Sequence, residues 1–257
     1  METLAKITGA ADRLLSKLVA FALVLALCYG GYALWDTYKV YQGASVDGNL
    51  LKYKPTLNQQ AEDNPTLAEL IALNPDVRGW LTIDNTHIDY PLLQGTNNVK
   101  YVNTDVYNNF SLSGSVFMDF SNAGDVTDFY TLVYGHHMEG GAMFGDLEHF
   151  TQAQYFDEHP TGTLFLPDYT YDIRLFACLM VDAFDPYVFH PLVDDGKETE
   201  MLQYLKETAV QYRETVITPQ DHIIGLSTCS DAATNARTVV FGLLSHRQAA
   251  EEGGNAQ

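Results

Sequence analysis

Residues 18–35, LVAFALVLALCYGGYALW, run for eighteen positions without a charge. A helix of roughly 20 apolar residues crosses the hydrocarbon core of a bilayer. The segment therefore predicts a membrane-spanning helix and divides the chain near residue 36. Arg13 and Lys17 precede it and Asp36 follows it. By the positive-inside bias this places residues 1–17 in the cytoplasm and everything after the span outside the cell. A cleaved signal peptide is the competing reading, but its apolar region is usually shorter and ends at a small-x-small site, which is not evident here. Cys28 invites lipidation, yet Leu27 stands where a small residue would be expected. The expectation is an uncleaved signal anchor, single-pass, in the cell membrane.

Residues 1–35 hold three basic and two acidic side chains, so the whole formal charge of −19, and one unit more, falls on the exported part. Such a charge excludes nucleic acid as a partner, because phosphate recognition needs basic patches. It also argues against docking on anionic lipid and leaves the tethering to the helix. Beyond Cys28 only Cys178 and Cys229 remain. An exported domain that leans on disulfides would carry more, and a domain of roughly 200 residues buries a full core without them. A Cys178–Cys229 disulfide stays open as an alternative to two free thiols.

After a polar stretch at 36–63, read as a stalk, NPTLAELIALNPDVRGWLTI predicts a helix. Thr66 and Glu69 form its capping box, Leu67, Leu70, Ile71 and Leu73 lie along it, and Pro75 ends it. From Trp80 the pattern changes to short strands, near 79–84, 86–94, 114–119, 129–137, 161–167, 170–183, 222–229 and 237–246. Turn residues such as Asp84-Asn85 and Pro167-Asp168 separate them. GDLEHFTQAQYFDEHP has a helical character, and in EMLQYLKETAVQYRE residues Met201, Leu205, Ala209 and Tyr212 share a face at helical spacing. Eight short strands with few helices predict a mainly β fold, closed or nearly closed into a barrel. The tail at 248–257 reads as disordered.

The chemistry gathers at three places. HIIGLSTC ends in Cys229, and the strand RTVVFGLL opens on Arg237, with seven residues between. If these strands pair antiparallel, the two residues share a rim. TLVYGHH is an apolar strand ending in His136 and His137. It joins the same rim only if it runs parallel to the Cys229 strand, which the sequence leaves open. A thiolate is a nucleophile, an imidazole can protonate a leaving amine, and an arginine can hold an oxyanion. Each has a plain competitor: Cys229 as buried filler, His136 as a surface residue, Arg237 as a solvated charge. Cys178, inside RLFACLMV, reads as core. His87, His149, His159, His190, His222 and His246 show no usable pattern. No ligand set at zinc spacing and no cofactor motif is present.

At these residues the chain resembles the sortase family, class B, in YGHHM, LSTC and ARTVV. NPDVRGWLTIDNTHIDYPLLQ, GSVFMDF and MFGDLEHF resemble class B segments in the same order, so the likeness covers about residues 64–246. It implies an eight-stranded sortase-type β-barrel with an N-terminal helix and a long helix inserted between late strands, filling a catalytic domain at 64–247. It further implies a cysteine transpeptidase with catalytic His136, Cys229 and Arg237, a substrate groove lined by Ser227 and Thr228, and no cofactor. The implied substrates are secreted proteins bearing a C-terminal sorting signal. The implied acceptor is an amine of a cell-wall peptide precursor or of a pilin. Gly225 departs from relatives that carry threonine there, a change expected to alter groove shape. A thioester hydrolase and a silent binding barrel are the rival readings.

Overall fold

The computed structural model describes residues 2–44, 46, 48–56, 65–194, 196–229 and 235–247, without the side chains of 2–12, Gln42, Pro65 and Cys229. The predicted tail and residues 57–63 of the stalk lie outside the described residues. The chain divides into two units, residues 1–42 and 43–257.

The first unit is one helix, α1 (Glu2–Ala44), whose last two residues belong to the second unit. Within it Arg13–Tyr41 is long and apolar enough to cross a membrane, and none of that stretch is buried. The helix outruns the apolar segment because nothing between Asp36 and Ala44 breaks it. Extending a formed helix costs far less than nucleating one.

In the second unit a short α2 (Gly48–Leu51) precedes α3 (Pro65–Leu73). Leu50 and Tyr53 are buried with Leu67, Leu70 and Trp80, so the middle of the expected stalk is packed on the domain. The expected capping box does not form. Pro65, with φ preset for a first helical position, starts α3 one residue earlier. That draws Thr66 into the helix, where its hydroxyl is buried without a partner among the described residues.

The strands are β1 (Val77–Ile83), β2 (Asp89–Leu93), β3 (Val116–Met118), β4 (Tyr130–His136), β5 (Thr161–Phe165), β6 (Thr170–Asp182), β7 (Gln211–Tyr212), β8 (His222–Cys229) and β9 (Ala236–His246). They are ordered β5-β1-β2-β3-β4-β8-β9-β6, and a β5–β6 ladder closes the ring into an eight-stranded barrel. The β2–β3 and β4–β8 pairs are parallel; the others are antiparallel. A 3₁₀ segment (Gly145–Thr151) and α4 (Ala153–Glu158) follow β4.

Helix α5 (Glu198–Thr208) sits between late strands, and its Met201 and Leu205 pack on Tyr130, Leu132, Ile223 and Phe241. An eight-stranded barrel has room inside only for side chains, so this set marks the outer face. The alternate positions line the interior. Met118, Val133, Leu226, Val240 and Cys178 are register partners in one row across five strands, each fully buried. Cys178 is thus core, and burial pushes its thiol up to about 12.

The helix expected through Tyr212 stops at Thr208. Ala209 turns extended, Val210 N–H donates to Cys178 O at 2.8 Å, and Tyr212 pairs with Ala177 in β7. Strand β6 outlasts its partner β5, and the bare edge beyond Arg174 takes up this backbone. An edge left without hydrogen bonds outweighs the helical spacing of two side chains.

Candidate active site

Strand β4 ends at His136 and β8 at Cys229, and the two run parallel with seven paired positions from Tyr130↔Ile223 to His136↔Cys229. The orientation that the sequence left open is therefore the one that joins them. Strand β9 pairs antiparallel with β8 as far as Ser227↔Val239. Two further residues along each strand bring Arg237 level with Cys229, and Thr238 N–H donates to Thr228 Oγ1 at 3.3 Å on the way. On its other side Arg237 is paired with Val181 of β6. His136, Cys229 and Arg237 thus fall in one row at one rim, on three adjacent strands. Partners across a ladder share a face, so His136 and Arg237 continue the outer set of Tyr130, Leu132 and Tyr134.

Glycine at 135 has a packing cause. A Cβ there would lie 2.5 Å from the ring of Phe144, which is fully buried. Phe144 N–H in turn donates to His136 O at 2.9 Å, and His137 bridges Met143, so the 137–144 loop folds back beneath the histidine. The His136 ring stays open to solvent at its edge. Partial burial and, to a smaller extent, the neighbouring His137 hold its pKa below the ordinary value of 6.5. His137 itself sits 3.6 Å from Glu148, Nε2 to Oε2.

Ser227 and Thr228 are both buried. Ser227, partner of Tyr134, lies on the face of the His136 row. Thr228, partner of Gly135, faces the other way, and its hydroxyl engages the Thr238 backbone. The two residues expected to line one groove are therefore separated by strand alternation, and Thr228 serves to join β8 to β9. Arg237 is half-buried, with Nη1 donating to Ala236 O at 3.2 Å.

A polar network escaped the sequence reading. Tyr134, two residues before His136, donates its hydroxyl to Asp119 Oδ2 at 2.9 Å. That buried carboxylate also accepts from Asn98 Nδ2 at 2.7 Å, Ser121 N at 2.9 Å and Ser121 Oγ at 2.6 Å. Its only trace in the sequence was Asp119 within GSVFMDF, where nothing marks the acid as paired. Gly225 also differs from expectation. A Cβ there would meet Tyr130 Oη at 2.7 Å and Phe241 at 3.1 Å. Its smallness serves the packing beneath α5 rather than the shape of a groove. Among the described residues no group of three His, Cys, Asp or Glu side chains could hold a metal ion.

A closed mixed barrel of this strand order, with strands ending in histidine and cysteine side by side, is the sortase fold. No protein-family model matches the chain. Sortase B of Listeria monocytogenes is 33% identical to it over 174 residues, 68% of this chain and 71% of the relative. Sortase B of Staphylococcus aureus is 28% identical over 228 residues, 87% and 93% of the two chains. Among solved structures, a Streptococcus pyogenes class B sortase involved in pilus biogenesis is 41% identical, with a TM-score of 0.65 over 70% of this chain and 97% of that one. A Staphylococcus aureus sortase B–substrate complex gives 29% identity and a TM-score of 0.69 over 74% and 88%. The chain belongs to the sortase B family and is a cysteine transpeptidase.

Proposed function

We propose that Cys229, His136 and Arg237 are the catalytic trio of a membrane-anchored transpeptidase. It would cut a C-terminal sorting signal of secreted proteins and pass the acyl part to an amine. The observation that carries this is the parallel register pairing His136 with Cys229, with Arg237 brought level by β9. In the first step His136 takes the Cys229 proton as the sulfur bonds to the scissile carbonyl carbon. The carbonyl oxygen becomes an oxyanion, for which Arg237 is the fixed positive charge. Collapse breaks the C–N bond, the imidazolium returns its proton to the leaving nitrogen, and a thioester remains. An incoming amine then bonds to the thioester carbonyl, losing a proton to His136, and the thiol is released with that proton. Tyr134 and Ser227, on the same face, flank the path of the substrate.

The span at 18–35 would act as an uncleaved anchor, with residues 1–17 cytoplasmic and the barrel outside. The packed residues from Gly43 onward extend the catalytic unit upstream of residue 64. The acceptor is an amine of a cell-wall peptide precursor or a pilin lysine. The pilus role stated for the Streptococcus pyogenes relative supports the second.

The test uses the full chain in detergent with a panel of sorting-motif peptides, read by mass spectrometry. An acyl adduct on Cys229, absent in Cys229→Ala and discharged by added amine, is the expected result. A folded protein whose thiol alkylates but which cleaves no peptide in the panel, and whose His136→Ala variant alkylates just as fast, would refute the trio.

A further inference from the structure

Residues 106–118, VYNNFSLSGSVFM, are thirteen positions without a charge, in a unit that carries all of the chain's net acidity. They lead into β3, and their outer half exposes large apolar side chains: Tyr107 at 44%, Phe110 at 76% and Leu112 at 49%. The exposure is built in. Thr104 bridges Phe110, and Asp105 Oδ1 accepts from Tyr107 N at 2.9 Å and Asn109 N at 2.8 Å. The acid that opens the loop is thereby turned onto its backbone. Val106 is buried, and its carbonyl accepts from Asn74 Nδ2 at 2.9 Å, which pins the base of the turn. Three apolar groups are held outward on a fixed frame.

Chain connectivity says what they face. A Cβ on Gly43 would lie 3.1 Å from Ser111 Oγ and 3.3 Å from Ser113 Oγ. The stretch long and apolar enough to cross a membrane closes at Tyr41, six residues past the uncharged segment and two before Gly43. At 3.8 Å per residue, Ser111 in this loop is held within about 12 Å of Tyr41, whichever way the helix before Gly43 points. Trp35, Tyr38 and Tyr41 give this end of the span the aromatic residues typical of a membrane interface. The exposed Lys52, its ammonium 4.7 Å from the Tyr53 ring centroid and near Tyr107, adds a cation at the same place.

We propose that Tyr107, Phe110 and Leu112 form a second membrane contact, entering the headgroup region of the bilayer that holds residues 18–35. The inference rests on the anchor reading above. An acidic domain is repelled by anionic lipid over most of its surface, and this uncharged loop is a part that can approach. The anchor makes the contact intramolecular, so a small apolar patch suffices where free association would need a large one. The barrel is then seated on the lipid surface rather than swinging from one tether.

The experiment places the full chain in phosphatidylcholine–phosphatidylglycerol vesicles whose acyl chains are brominated near the headgroup. Phe110→Trp is made in a Trp35→Phe background, leaving the buried Trp80 as a constant signal. The introduced indole should emit at shorter wavelength than in detergent and lose most of its emission to the bromolipid. Val216→Trp, at a site 89% exposed elsewhere on the barrel, should lose none. An unquenched indole at 110, with Trp35 of the parent chain quenched, overturns the docking and keeps the anchor. An unquenched Trp35 overturns the anchor, and the docking with it. A blue shift in detergent that grows with protein concentration assigns the loop to a second copy of the chain and also overturns the proposal.

Discussion

Replacing Gly135 by alanine tests whether the glycine before His136 is there for Phe144. The new methyl would sit 2.5, 2.6 and 2.9 Å from three ring carbons, where comfortable carbon contacts begin at about 3.5 Å. An overlap of about 1 Å must be relieved by moving a fully buried ring. Such overpacking costs about 1–3 kcal/mol, offset by about 0.4–1 kcal/mol from stiffening the unfolded chain. A net loss near 1–2 kcal/mol lowers Tm by about 2–8 °C in a domain of this size, read by circular dichroism of the full chain in detergent. Phe144 N–H holds His136 O, so the ring's displacement drags the histidine, and about 1 Å of misplacement can cost about 10²-fold in rate. Phe144→Ala alone removes a buried ring and should cost about 3–5 kcal/mol. The double variant should fall short of the sum by about 1 kcal/mol or more, because the methyl then occupies vacated space. Full additivity, or a Gly135→Ala variant as stable and active as the parent, would refute the steric argument.

Gly225→Thr should destabilise the barrel by about 1–3 kcal/mol through Tyr130 and Phe241, and Tyr130→Leu should restore part of the loss; equal urea midpoints for Gly225→Thr and parent would count against it. Arg237→Lys keeps the charge but not the planar fork, and should lower kcat/KM by about 10²-fold with an unchanged unfolding profile, measured with a cleavable sorting peptide. His137→Gln removes the lesser of the two influences holding the His136 pKa down. The His136 imidazole should then titrate at higher pH by NMR, and no movement would leave burial as the sole cause. Since the folded His136 resists protonation, its contribution to stability is present above the unfolded value of about 6.5 and lost as pH falls through the folded one. His136→Phe should flatten that part of the stability profile.

What was legible in the sequence was local. All eight barrel strands came from apolar runs between turn residues, and the antiparallel β8–β9 pair followed from a short connection. The parallel β4–β8 pair could not follow. Three strands and two α-helices intervene between them in sequence, and only closure of the ring through β5 and β6 makes them neighbours. The two-residue β7 was invisible because the bare edge of β6 created it, against the helical spacing of Ala209 and Tyr212. The separation of Ser227 from Thr228 was implicit in strand alternation, yet it acquired meaning only once α5 marked the outer face. Tyr134 and Asp119 are sixteen positions apart counted inclusively, and nothing in either neighbourhood announces their bond.

Register is where packing and chemistry meet. A slip of one residue between β4 and β8 would set Gly135 level with Cys229 and turn His136 to the opposite face, abolishing the row. Tyr130 is what forbids it. Its ring crosses Gly225, and its hydroxyl donates to Val188 O at 2.9 Å in the segment leading to α5. A slip in either direction would put Ile224 or Leu226 where only a hydrogen atom fits. The next fixed point is Gly135, whose lack of a side chain admits Phe144 one position before the histidine. Two glycines, one on each strand of the pair, therefore hold the rim residues in line, and the eleven-position pairing of β6 with β9 keeps Arg237 from drifting independently. The register is locked in the barrel wall, and the loops that hang from its ends can change without moving the strands that carry His136, Cys229 and Arg237.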